Sequence, residues 1–113
     1  MLISVSMIED GIKLISLNGS FDITGPQEIE SRFTIETAAE TANIIVDLSE
    51  VKFMASIGIG MMVRAARALF ARKGKLVFMN PQPIVWQSLE STQIIQVIPV
   101  VYGIDSARSF LLT

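Results

Sequence analysis

The chain has 113 residues, 50% of them apolar and 18% charged, with 9 Lys and Arg against 11 Asp and Glu for a net charge of −2. That length makes residues 1–113 a single domain, large enough to bury roughly 60–70% of its unfolded surface. The apolar fraction excludes disorder as the main state, and the slightly acidic balance lacks the basic footprint of direct nucleic-acid binding. The chain has no Cys and no His. Disulfides, thiol nucleophiles, Ser-His-Asp catalysis and imidazole-ligated zinc are thereby ruled out. No metal and no cofactor is expected, and the prior for an enzyme falls.

Met1 to Met7 is apolar, but no basic residue precedes it and Glu9-Asp10 follow, so no secretion signal is read there. The uncharged stretch Ser91 to Ile104 contains Gln93, Gln96 and Pro99 and falls short of the ~20 residues of a spanning helix. A soluble, cytoplasmic protein with no membrane partner is expected.

Taken in order, Leu2 to Ile8 and Ile12 to Leu17 read as two strands joined by a tight turn at Asp10-Gly11. Asn18-Gly19-Ser20 is expected to end the hairpin, with Phe21-Asp22-Ile23 in a loop. Thr24 is a candidate helix cap before Gly25-Pro26, and Ile29, Phe33 and Ile35 to Ala39 carry helical spacing to about Thr41. Asn43 to Leu48 reads as a buried strand. Ser56 to Lys73 is helical, with Ile59, Met62, Val63, Ala66 and Phe70 on one face and Gly74 as the closing C′ residue. Lys75 to Met79 is the next strand. Pro81 to Leu89 forms a helix capped by Asn80, with Trp86 read as core packing. Val97 to Val101 is a fifth strand, and Asp105 to Leu112 a last helix. The order β-β-α-β-α-β-α-β-α predicts an α/β domain: a mixed, mostly parallel sheet of about five strands covered by about four helices.

The informative segment is Asp47 to Gly60, where a strand ends, a short loop follows and a hydroxyl stands where a helix begins. On its own, Ser56 reads as a helix cap accepting backbone N–H bonds. The two glycines at 58 and 60 need a reason, since each costs up to about 1 kcal/mol inside a helix. Close packing against a strand is one reason; close approach by a partner is another. A dinucleotide site is disfavoured, because Val63 stands where the fingerprint needs its third glycine. Catalysis would have to rest on Asp22 or Asp47 in a pocket that shifts a carboxyl pKa.

Charge is also unevenly spread. Asp22 to Glu50 holds 7 acidic residues and one basic, whereas Val51 to Leu89 holds 6 basic residues and no acid. One reading is a solvated face paired with the acidic half; the other is a basic strip steering an acidic partner.

Three segments together resemble the STAS domain, the sulfate-transporter and anti-sigma-factor-antagonist fold, and most of all the free-standing bacterial anti-sigma factor antagonists. Leu17-Asn18-Gly19-Ser20-Phe21-Asp22 is similar to Leu-x-Gly-x-Leu-Asp. Ile44 to Ser49 is similar to Val-Leu-Asp-Leu-Ser. Phe53-Met54-Ala55-Ser56-Ile57-Gly58-Ile59-Gly60 is similar to Phe-Met-Asp-Ser-Ser/Thr-Gly-Leu-Gly. The resemblance implies a non-enzymatic interaction module in transcription regulation by partner switching. Ser56 would be phosphorylated by an anti-sigma factor that is also a serine kinase. The unmodified form would bind that factor, and a PP2C-type phosphatase would reset the modified one. Asp22, Met54, Ala55, Ser56, Ile57, Gly58, Ile59 and Gly60 become the expected partner-binding set, on a monomer or weak dimer. Asp22 has a second reading as a turn residue bonding its own backbone. Ala55 and Ile57 depart from the family's Asp and Ser/Thr. They leave open a STAS subunit or scaffold of a transport or stressosome-like complex that is never phosphorylated.

Overall fold

In the computed structural model the described residues are 2–21, 25–38 and 43–112, with only the backbone described at 25 and 26. The expected roles of Asp22 and Thr24, and the helix end at Thr41, lie outside the described residues.

Strand β1 (Leu2–Met7) runs antiparallel to β2 (Lys13–Phe21), from Leu2 opposite Asn18 to Met7 opposite Lys13. The turn between them is a short 3-10 segment, Glu9–Gly11, with Asp10 at φ 62° and Gly11 at φ 71°. Asp and Gly are the residues that tolerate this left-handed backbone. Helix α1 (Gly25–Ala38) leads to β3 (Asn43–Met54), and α2 (Ser56–Ala71) to β4 (Lys75–Met79). Then come α3 (Pro83–Ser91), a 3-10 turn at Ile94–Gln96, β5 (Val100–Val101) and α4 (Ile104–Leu111). The five strands lie in the order β1-β2-β3-β4-β5, and every pair after the first is parallel. The expected mixed sheet and element order are therefore observed.

Two strands are longer than the sequence suggested. β2 continues through Asn18-Gly19-Ser20 to Phe21, and β3 continues past Leu48 to Met54. Their pairing shifts register between Ser16 and Asn18 and again between Gly19 and Ser20. Such irregularities break the period-two pattern that betrays a strand. β4 stops pairing at Asp47 opposite Met79, so the ends of β2 and β3 run on as a two-stranded ribbon.

The larger core lies on one face of the sheet. There Ile15, Leu17, Val46, Leu48 and Phe78 meet Phe33 of α1, Met62 and Leu69 of α2, and Leu89 of α3. On the other face Ile12, Ile45, Val77 and Met79 meet Ala107 and Leu111 of α4. β5 is only two residues, because Ile94–Gln96 turns and Val97 is left outside the strand. Gln82, not Asn80, occupies the cap position of α3; Asn80 sits at φ 56° and its Oδ1 accepts the Gly103 N–H at 2.9 Å.

Candidate functional site

The site forms where the β2–β3 ribbon meets the start of α2. The Ala55 N–H donates to the Phe21 carbonyl at 2.6 Å, which ties the ends of the two strands together. Ala55 has extended backbone (φ −92°, ψ 168°), and its carbonyl accepts the N–H groups of Gly58 at 3.0 Å and Ile59 at 3.2 Å. Ala55 is thus the cap residue, and its methyl side chain makes no capping hydrogen bond. Ser56 is the first helical residue and is exposed. This corrects the reading of Ser56 as a cap. Its hydroxyl lies one residue too late to fold back on the free amides, and it faces solvent at the positive end of the helix dipole.

The two glycines have different causes. A Cβ on Gly58 would come within 2.9 Å of Cβ and Cγ of Phe21 and closer still to Cδ2. Phe21 is fully buried, so glycine at 58 lets α2 press onto the ribbon. A Cβ on Gly60 would meet only Nη1 of Arg64, at 3.5 Å, an ordinary contact with a flexible side chain. The fold itself gives Gly60 no steric reason.

The expected site residues divide by burial. Met54, Gly58 and Ile59 are buried and hold the surface from beneath. Ser56 and Ile57 are exposed, with Ile57 at 46%, and Ala55 and Gly60 are half-buried. Two side chains lie outside the expected set: Gln82, which sequence reasoning missed, and Arg64, which it read only as part of the basic strip between Val51 and Leu89. Gln82 donates from Nε2 to the Ser49 carbonyl at 2.8 Å, pinning the start of α3 to β3, and Ile84 next to it is 50% exposed. Arg64 lies back over Gly60, and its Nη2 is 3.7 Å from Glu30 of α1. The i, i+4 spacing of Gly60 and Arg64 was the available signal.

Asp47, the other acid considered for catalysis, is half-buried on β3, and its Oδ1 accepts the Ser49 N–H at 2.9 Å. It acts there as a local brace. No group of three or more metal-ligating side chains occurs among the described residues. Nor is any helix among them long and apolar enough to cross a membrane.

With this geometry in view, the likeness to known proteins is specific. Residues 6–107 match the STAS domain model. The chain belongs to the STAS domain family. An anti-sigma factor antagonist from Mycobacterium paratuberculosis has a similar structure at TM-score 0.88 and 20% identity, over 99% of this chain and 94% of that one. SpoIIAA, in its unphosphorylated form, is similar at TM-score 0.80 and 20% identity, over 98% and 96%. The phosphorylated form of SpoIIAA, a Bacillus cell fate determinant, is similar at TM-score 0.72 and 18% identity, over 99% and 100%. The STAS domain of a SulP transporter from Vibrio cholerae is similar at TM-score 0.73 and 20% identity, over 95% and 85%. At such identities the likeness establishes the fold. Among curated protein sequences none is similar enough to match.

Proposed function

We propose that this STAS chain is an anti-sigma factor antagonist: a protein-binding module, not an enzyme, switched by phosphorylation at Ser56. The observation that carries the reading is the exposed Ser56 hydroxyl at the head of a helix whose cap residue, Ala55, has no capping side chain. Beside it, Ile57 and bare Gly60 offer apolar and close-approach surface that the fold does not itself use. The contact surface is Ala55, Ser56, Ile57 and Gly60. Asp22, at the end of the ribbon in sequence, joins it in this proposal. Met54, Gly58 and Ile59 act from below by fixing its shape.

The switch has a simple physical basis. A phosphate adds about −1.5 to −2 charge and three acceptor oxygens. The free amides and dipole of α2 accommodate it within the domain. The same charge pressed into an apolar protein interface is costly to desolvate. Phosphorylation therefore ends binding while leaving the fold intact. The partner is an anti-sigma factor with serine kinase activity in the bacterial cytoplasm, and a PP2C-type phosphatase restores the binding form.

A second reading has its own support. Ala55 and Ile57 stand where the family pattern has Asp and Ser or Thr, and a transporter STAS domain shares the fold. In that reading the chain is a permanent subunit of a transport or stressosome-like complex. One experiment separates the two. Wild type and Ser56→Asp are used as baits in lysate of the source cell, and Ser56 is examined for phosphate by mass spectrometry. A small serine kinase held by wild type and lost by Ser56→Asp supports the switch. Identical partners for both baits, with Ser56 unmodified, sink it in favour of the permanent subunit.

A further inference from the structure

The 9 cations of the chain are used unevenly. Lys13 is buried against Glu36 at 2.9 Å, and Arg32 approaches the same carboxylate at 4.0 Å. Arg72 donates to the Thr37 carbonyl at 2.7 Å. Arg108 holds Glu9 at 3.0 Å and Asp10 at 2.9 Å. Lys75 lies 5.7 Å over the ring of Phe110. Lys13, Arg72, Arg108 and Lys75 thus bind one element to another, while Arg32 pairs within α1. Among the described residues, the side chains of Lys52, Arg67 and Lys73 make no hydrogen bond or ion pair. Arg64 makes one loose pair, with Glu30 at 3.7 Å, in which both side chains are more than half exposed. Such a pair contributes little and is readily exchanged.

The position of the underused arginines is the telling point. At about 100° per residue, Ser56, Gly60, Arg64 and Arg67 fall within an arc of about 80° on α2. Ser56, Arg64 and Arg67 are exposed, and Gly60 is half-buried between them. No acid occurs anywhere on α2, nor between Val51 and Leu89 in the sequence. Ala55 extends that acid-free stretch of chain to the residue before Ser56.

We infer that the outer face of α2 docks an acidic protein surface, with Arg64 and Arg67 as its counter-charges and Gly60 as the point of closest approach. A carboxylate of the partner replaces Glu30 on Arg64, and Glu30, already about half exposed, returns to water. The inference rests on the reading above only for the identity of the partner, and it adds how that partner is chosen. It also strengthens the switch. A phosphate on Ser56 stands at the head of the strip, offsets the two arginines and repels the acidic partner.

The first test needs no native partner. The ¹⁵N-labelled chain is titrated with short poly-L-glutamate and followed by NMR. Amide shifts are expected at Ser56, Gly60, Arg64 and Arg67. Affinity should fall about fivefold or more in an Arg64→Gln/Arg67→Gln double variant, and less than about twofold in Lys52→Gln/Lys73→Gln. Ala55→Asp should weaken binding about twofold, by adding a like charge. Equal losses in the two double variants, shifts confined to other elements, or no binding at all overturn the inference. Thermal melts confirm that each variant is folded. The second test uses the captured kinase, purified. Its association rate at low salt should fall about tenfold with Arg64→Gln/Arg67→Gln and lose most of its salt dependence. If Ser56→Asp fails to release the kinase while the arginine effects persist, the switch falls and the acidic docking stands.

Discussion

At its carboxyl end α2 is closed by backbone hydrogen bonds and tied to α1. The Lys73 N–H donates to the Phe70 carbonyl at 2.9 Å and the Gly74 N–H to Leu69 at 2.9 Å. Arg72 reaches across to the Thr37 carbonyl of α1, and nearby Lys13 donates from Nζ to the Glu36 carbonyl at 3.0 Å. Two cations thus neutralise the negative end of α1. The amino end of α2 has a cap residue without a capping side chain, an exposed hydroxyl and an exposed isoleucine. The fastened end holds the helix in register, so the other end can be left bare for a partner. Breaking the fastened end should cost stability, and altering the bare end should cost binding.

The largest expected effect falls where the bare end is itself held from beneath. Gly58→Ala drives a Cβ into the buried ring of Phe21. Overpacking of this kind costs about 2–3 kcal/mol, to be read from urea denaturation. A loss under about 0.5 kcal/mol would mean that Phe21 moves freely and that α2 does not rest on the ribbon.

That contrast bounds what the sequence could disclose. The element order and mixed sheet were legible because Ile44-Ile45-Val46 and the spacing of Ile59, Met62, Ala66 and Phe70 announce strand and helix unambiguously. The glycines at 58 and 60 were equally unusual on paper, and two explanations were open for both. Packing separates them: one meets Phe21 and the other meets open space and Arg64. Helix ends were the least legible. Gly74 was expected at C′, yet Lys73 takes the left-handed backbone there, at φ 64°, and Gly74 follows as C″. Ser56 was expected as the cap, yet the capping backbone belongs to Ala55, whose methyl group gives no sequence signal.

At the fastened end, Lys13→Met keeps the packing of the stem and removes the charge. It leaves the Glu36 carboxylate, which is 25% exposed, with only the 4.0 Å contact to Arg32, and one α1 carbonyl without its donor. A loss of about 2 kcal/mol is expected from the charged hydrogen bonds, with partner capture unchanged once the protein is folded. Capture that fell in step with stability would show that the two ends are coupled, and would break the comparison.

Gly60→Ala should do the opposite. Its Cβ fits at 3.5 Å from Arg64, so the helix gains up to about 1 kcal/mol of propensity. Partner binding should nonetheless weaken, because the added methyl stands where the partner's surface approaches. Gain without loss of binding would place the contact elsewhere on α2.

The smallest effect is the most discriminating. If Ser56 capped the helix, Ser56→Ala would cost about 1 kcal/mol. With Ala55 in that position, Ser56→Ala should change stability by less than about 0.5 kcal/mol. Ser56→Asp should raise it by about 0.5 kcal/mol, since α2 has no acid in its first turn to meet the dipole. The gain should shrink with added salt, as a surface charge effect must. A variant that is slightly more stable and yet fails to bind separates folding from recognition at a single hydroxyl. A variant that is less stable would return Ser56 to the structure of the helix, and with it the reason for its presence.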